Sequence, residues 1–330
     1  MKIIEDIEVR WGVIGVGNVC EVKSAPAMNL VKHSRLVAVM RRDEEKVRAY
    51  AQKHQVPKSY TDADELINDP EVNAVYIATP PHVHAELTKK AAAAGKPVYV
   101  EKPMARTYGE CQEMIKSCGD AGVPLYVAYY RRTLPNFLKI KELVESGVIG
   151  EVRHVNIQMH QSRDPGIVVD TETNWRIDPQ VAGGGYFYDL ASHQLDFLDF
   201  LFGPIKQAKG FSTNQAGLYP AEDLVVASFQ LENGVLGMGS WCFTTGKVSS
   251  EDLTIIVGSR GQITYPSFGD SHVLLETDDK GIEKFEFEMP KHIQYYLIES
   301  IVKELLGEGN CPSTGVSAAR TNWIMEQIIS

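Results

Sequence analysis

The run Gly12-Val13-Ile14-Gly15-Val16-Gly17-Asn18-Val19-Cys20 decides the fold. An apolar stretch gives way at its glycines to polar Asn18, and a helix over 18–31 is predicted to follow. Glycine at a strand-to-helix turn lets backbone approach a ligand closely, and helix N–H groups favour an anion, so the turn reads as a phosphate cradle. A dinucleotide turn places glycines at its first, third and sixth positions; here Cys20 takes the sixth, where a small side chain packs helix on strand.

Outward from this turn, short β-rich runs at 9–14, 36–40, 74–77, 97–100 and 125–128 alternate with helical stretches at 18–31, 44–54, 63–68, 82–93 and 108–121. That alternation predicts a doubly wound parallel sheet, an α/β Rossmann domain over 1–130. Beyond a connecting helix at 134–146 the pattern changes. Runs at 152–159, 223–231, 235–243, 253–257 and 273–276, with helices at 186–202 and 293–306, predict an α+β domain over 131–330 built on a large, open, mostly antiparallel sheet.

A chain of 330 residues has room for two cores, and its 44% hydrophobic and 23% charged content is that of a folded globular protein. The net charge of -10 repels nucleic acid, and the basic pairs are scattered rather than clustered. Five cysteines without CxxC spacing argue against zinc and against a disulfide framework, which fits a reducing cytoplasm. No apolar run is long enough for export or for a membrane span.

The residues closing the second strand bear on the cofactor. Asp43 reads as the N-cap of the helix at 44–54, which leaves Arg41 and Arg42 at the adenosine ribose. Guanidinium groups there pair with a 2'-phosphate, so NADP is preferred, with NAD the alternative.

Ala78-Thr79-Pro80-Pro81-His82-Val83-His84, then Gly95-Lys96-Pro97-Val98-Tyr99-Val100-Glu101-Lys102-Pro103, resembles the glucose-fructose oxidoreductase, inositol dehydrogenase and MocA family. So do Gly183-Gly184-Gly185 leading to Asp189 and His193, Tyr130-Arg131-Arg132, Ile149-Gly150-Glu151-Val152 and Asn174-Trp175-Arg176, in order along nearly the whole chain. The resemblance implies a Rossmann domain followed by an α+β domain, NAD(P), and a sugar, polyol or related hydroxyl compound as substrate. It also implies a catalytic group of Lys102, Asp189 and His193, and assembly as a homodimer or homotetramer.

The residues themselves allow that chemistry. Lys102 lies at the carboxyl end of a parallel strand, where ligands bind, and its ammonium can steady a developing alkoxide. Asp189 and His193, spaced i and i+4, share one helix face, and histidine suits proton exchange with a hydroxyl near neutral pH. Asp189 is expected to orient the imidazole or to hold a second hydroxyl. The triple glycine reads as a pliable entry to that helix.

Gly15, Gly17, Asn18, Val19, Arg41, Arg42, Thr79, Pro80, His84, Glu101 and Lys102 make up the cofactor-facing set. Tyr130, Arg131, Trp175, Arg176, Asp189 and His193 make up the substrate-facing set. His82 and His84 read as cleft wall or surface, since a metal would need further ligands. The leading expectation is hydride transfer between nicotinamide C4 and a hydroxyl-bearing carbon. The alternatives are NAD-dependent redox-neutral glycoside hydrolysis on the same scaffold and a non-catalytic NADP-binding sensor.

Overall fold

The apolar runs of the first part of the chain become the parallel strands β1 (Val9–Ile14), β2 (Ser34–Met40), β3 (Lys58–Tyr60), β4 (Ala74–Ile77), β5 (Val98–Val100) and β6 (Leu125–Val127) of a computed structural model. The structure describes residues 4–169 and 172–330. Strand order is β3-β2-β1-β4-β5-β6, so the winding reverses between β1 and β4, the point at which an open parallel sheet leaves a crevice at its carboxyl edge. β4 is buried at every residue, which is why its run is continuously apolar rather than alternating. β3 escaped prediction because Lys58, Ser59 and Tyr60 form a short, half-exposed edge strand with no apolar run.

Helices α1 (Ala25–Met28), α2 (Glu44–His54), α3 (Ala63–Asn68), α4 (His84–Ala93) and α5 (Tyr108–Ala121) flank the strands. Asp43, Asp62 and Thr107 cap α2, α3 and α5 through side-chain oxygens. The helix expected over 18–31 is shorter and irregular. A π turn, Cys20–Ser24, runs into α1, because Pro26 has no N–H to return to the Val22 carbonyl and the ladder widens around it.

Two compact units divide the chain. Met1–Tyr130, Val169–Thr173 and Pro290–Ala319 form one, and Arg131–Val168, Asn174–Met289 and Arg320–Ser330 the other. The second unit contains α6 (Pro135–Glu145), β7 (Val152–Ser162), α7 (Pro179–Ala182), α8 (Ser192–Phe202), β8 (Ile205–Thr213), β9 (Leu224–Leu231) and β10 (Leu236–Thr245). It continues with β11 (Glu251–Gly258), β12 (Gly261–Tyr265), β13 (Val273–Thr277) and β14 (Gly281–Phe285).

Its sheet runs β14-β13-β12-β11-β7-β10-β9-β8, antiparallel except where β7 and β10 pair in parallel. Alternation sets its faces: Val155, Ile157 and Met159 of β7 are buried, while Phe211, Val226, Leu236 and Met238 stand exposed. β8 and β14 are polar edge strands and were not predicted.

After β14 the chain returns to the first unit. α9 (Tyr295–Leu305) buries Leu297, Ile298, Ile301, Val302 and Leu305, and Ser313 exchanges hydrogen bonds with Val127 at the β6 edge, 2.7 and 3.1 Å. The division at 130 places 290–319 with the second domain, but their apolar face and free donors are satisfied in the first. α10 (Gly315–Ile329) begins there, and Arg320–Ser330 belong to the second unit.

Candidate active site

At the end of β1, Gly15 has φ +94°, and a side chain there would press within 2.8 Å of the Thr79 methyl and 2.9 Å of the Thr79 nitrogen. Glycine is therefore required at Gly15 by the protein itself. Gly17 is different: a Cβ would meet nothing nearer than 4.0 Å, so the chain leaves that space without needing it for its own packing. Cys20 is fully buried with its thiol 3.6 Å from the Gly15 carbonyl, and burial pushes its pKa up to about 12. It packs the turn and is inert as a nucleophile.

Asp43 accepts from Lys46 N at 3.0 Å, as a cap should, and Arg41 and Arg42 stand free of that task. Arg41 Nη1 donates to the Val16 carbonyl at 3.3 Å, which ties the strand end to the glycine turn, while Arg42 is exposed. Glu172 pairs with Arg41 at 3.3 Å and also with Lys46. Lys46 and Glu172 were not singled out from sequence: one looked like an ordinary helix lysine, and the other lies 131 residues from Arg41. Asn18 is exposed and Val19 half-buried at the helix entry.

Thr79 follows β4, and its buried hydroxyl has no hydrogen-bond partner among the described residues. Buried hydroxyls are rarely left so, and this one lies beside Gly15. Pro80 is half-buried next to it.

His84 corrects the sequence reading. It is fully buried with Nε2 2.7 Å from the Thr79 carbonyl and Nδ1 3.1 Å from the Met104 carbonyl, so its ring joins two segments and presents neither nitrogen to a ligand. Burial lowers its pKa, so the neutral ring donates to one carbonyl at a time.

Glu101 is buried, and its carboxylate receives Tyr76 Oη at 2.6 Å, Gln294 Nε2 at 2.6 Å and the backbone N–H of Lys102 at 3.1 Å. Lys102 is half-buried directly after it. A buried carboxylate with three donors holds its position firmly.

In the second unit, Asp189 sits in a π turn, Phe187–Ala191, that leads into α8, rather than in one continuous α-helix. Such widened turns let side chains project where an α ladder would not, and are frequent at functional sites. Asp189 and His193 are both buried, and Asp189 pairs with Arg176 at 3.1 Å. The guanidinium of Arg176, placed by the sequence among the substrate-facing groups, is thus a partner of Asp189.

Arg176 lies 4.4 Å over the Trp175 ring, and Asn174 donates to the Tyr186 hydroxyl at 2.8 Å. The triple glycine is packed, not slack: a side chain at Gly184 would strike Tyr188 at 2.2 Å, and one at Gly185 would strike Ala221 at 2.6 Å.

Phe268 was missed, although an aromatic in a Pro-Ser-Phe-Gly loop is a recognisable signal. Its ring lies 5.7 Å from that of His193 and 4.2 Å from the Arg131 guanidinium, which also donates to Ser267 O at 2.9 and 2.6 Å. Asp252 accepts from Phe268 N at 2.5 Å, and burial raises its pKa to about 6. Below the site, Arg132 and Asp196 form a buried pair at 2.5 Å that anchors α8. Tyr130 is buried in the first unit.

Residues 9–129 match the family model described as oxidoreductase family, NAD-binding Rossmann fold, and residues 137–264 match the GFO/IDH/MocA C-terminal domain. Oxidoreductase P35 of Formosa agariphila is 39% identical over 318 residues, 96% of this chain and 97% of that protein. Myo-inositol 2-dehydrogenase of Thermotoga maritima is 29% identical, covering 88% of this chain and 86% of its own. Levoglucosan dehydrogenase, solved with NADH and levoglucosan, shares the fold at TM-score 0.85 and 22% identity, covering 97% of this chain and 96% of its own.

Proposed function

The chain belongs to the glucose-fructose oxidoreductase, inositol dehydrogenase and MocA family of oxidoreductases, and from that premise we propose that it moves a hydride between nicotinamide C4 and a hydroxyl-bearing carbon of a sugar or cyclic polyol. The observation that supports this reading is the glycine turn: Gly15 is demanded by Thr79, whereas at Gly17 a Cβ would meet nothing nearer than 4.0 Å, which leaves room for a diphosphate beside the turn. The partnerless Thr79 hydroxyl, beside the same turn, is a second group that a bound dinucleotide would satisfy.

NAD(P), when bound, supplies the hydride acceptor or donor. The chain's own part is binding and proton handling. Backbone N–H groups at Gly17 to Val19 would hold the diphosphate, since those of Gly15 and Val16 already donate to the Met40 carbonyl at 2.9 and 3.3 Å, and Arg41 with Arg42 would favour the 2'-phosphate of NADP over NAD. Lys102 steadies the oxygen on the reacting carbon, and His193 takes or returns the hydroxyl proton. Asp189, charge-balanced by Arg176, holds a neighbouring hydroxyl, and Trp175, Tyr130 and Arg131 provide apolar and polar walls.

The exposed apolar residues Phe211, Val226, Leu236 and Met238 on one sheet support a homodimer or homotetramer. Among the described residues no helix is long and apolar enough to cross a membrane.

The test is a thermal-shift comparison of NAD with NADP, followed by turnover of a panel of cyclic polyols and sugars read as reduced nicotinamide. Stoichiometric reduction with a free polyol is the expected result. Substrate consumed with no net reduction would replace it with the redox-neutral hydrolytic reading, and tight coenzyme binding without turnover of any compound would leave a sensor.

A further inference from the structure

Gln294 lies 193 residues from Glu101 in sequence, yet its side chain is fully buried against that carboxylate. Resting on the reading above, we propose that Gln294 is a positioning residue for the reaction: it fixes the Glu101 carboxylate that sets Lys102, and ties that motif to the helix behind the glycine turn.

The side-chain amide is held at both ends. Nε2 donates to Glu101 Oε1 at 2.6 Å, and Oε1 accepts from Tyr99 Oη at 2.7 Å. Tyr76 Oη donates to the same Glu101 oxygen at 2.6 Å, and the Tyr76 and Tyr99 rings stack with centroids 4.6 Å apart. An ionised carboxylate only accepts, so the amide must face it with its NH2, and no alternative orientation satisfies Tyr99 as well. With Oε1 held by two donors, Oε2 is aimed at the Lys102 N–H, 3.1 Å away. The direction in which the chain leaves β5 at Lys102 is therefore set by a group from the returning segment.

The backbone of that segment makes the second connection. Pro26 leaves the Val22 carbonyl without its helical donor, and His292 Nδ1 supplies one at 3.0 Å. Gln294 N–H donates to the Lys23 carbonyl at 3.1 Å. Both carbonyls belong to the π turn that follows the glycines. One residue thus grips the turn that receives the coenzyme and the motif that bears the lysine. A stability role alone would be met by an apolar side chain; burying a carboxylate and three polar partners is costly unless their geometry is used.

The test uses the full chain with Gln294→Met, Gln294→Glu and Tyr76→Phe, read by amide hydrogen exchange and by steady-state kinetics on the best panel substrate. Gln294→Met is expected to raise exchange about tenfold in segment 98–106 and to leave 18–26 unchanged, because the backbone N–H on the Lys23 carbonyl is kept. It is expected to lower kcat by about 10- to 100-fold with KM changed less than about threefold. Gln294→Glu, which sets carboxylate against carboxylate, should lose more, and Tyr76→Phe less, confined to 98–106.

Unchanged kcat in folded Gln294→Met, or exchange rising evenly over the whole chain, would overturn the proposal. Should Gln294→Met not fold, Tyr76→Phe carries the same split on its own. A wild-type chain that turns over nothing in the panel refutes the dehydrogenase reading, while the exchange pattern still decides whether Gln294 holds the lysine motif.

Discussion

The candidate residues of the first unit lie at the ends of parallel strands, whereas those of the second are side chains drawn from distant stretches. Gly15, Thr79, Glu101 and Lys102 follow β1, β4 and β5, so parallel strands bring them to one edge, where Gln294 and Tyr76 then fix the Glu101 carboxylate. Asp189 and His193 instead depend on Arg176, Phe268 and Asp252, each supplied by a separate loop or strand. A place at a strand end is inherited from the fold; the contacts among side chains have to be assembled one by one.

Two carboxylates, one from each unit, sharpen this contrast. Glu101 collects two side-chain donors and a backbone N–H, while Asp252 relies on backbone N–H groups and has its pKa raised to about 6 by burial. The first is held in place by side chains from other segments, the second by the backbone of one neighbouring loop.

The largest expected effect tests the strand-end group of the first unit. Lys102→Ala should lower kcat by about 10³-fold or more while the coenzyme Kd, followed by nicotinamide fluorescence, stays within about twofold. Retained turnover would remove the lysine from the reaction.

On the side-chain side, Arg132→Met leaves the buried Asp196 uncompensated and should cost about 3–5 kcal/mol in urea unfolding. A loss below about 1 kcal/mol would show that α8 is held by its apolar contacts instead.

The two turn glycines should behave differently. Gly15→Ala strains a positive φ and meets Thr79, costing roughly 1–3 kcal/mol of stability. Gly17→Ala should leave the melting temperature unchanged and weaken coenzyme binding by about tenfold, since only the ligand needs that space. Equal effects on stability would erase the distinction.

Asp252 gives a pH dependence whose sign follows from its raised pKa. Its ordinary value is 3.8, and the folded protein holds the proton up to about 6. The folded state therefore binds the proton more tightly than the unfolded chain, and stability is lost as pH rises from about 4 through about 6. Asp252→Asn should flatten that portion of the unfolding profile, measured by denaturant titration at several pH values.

The smallest effect concerns the exposed acid at the strand end. Glu172 competes with any 2'-phosphate for Arg41 and Lys46. Glu172→Gln should improve NADP over NAD by about two- to fivefold, the scale of one exposed ion pair, in paired Kd measurements. No change in that ratio would mean that Glu172 has no bearing on the choice of coenzyme.

Short-range information was legible. The glycine turn, the Asp43 cap and most strands follow from residue types a few positions apart, because period, caps and turn conformations are local properties. The shortened first helix was also written locally, in Pro26, but its consequence was not: the freed carbonyls mattered only once His292 and Gln294 arrived to take them. His84 was misjudged for the same reason, since its position after Pro80-Pro81 gave no sign that two carbonyls would enclose its ring. The polar edge strands β3, β8 and β14 carry no apolar alternation and so no signal.

By itself the amino-acid sequence determined the alternation of strands and helices, the glycine turn with its conformational demand, and the motif that ends in Lys102. The tertiary structure alone decided which groups fix those residues: Gln294 on Glu101, Glu172 on Arg41, Arg176 on Asp189 and Phe268 against His193. Local conformation is written in neighbouring residues, but a hydrogen bond or ion pair across many residues exists only after packing has closed the chain between them, and its partner carries no mark of that in the sequence.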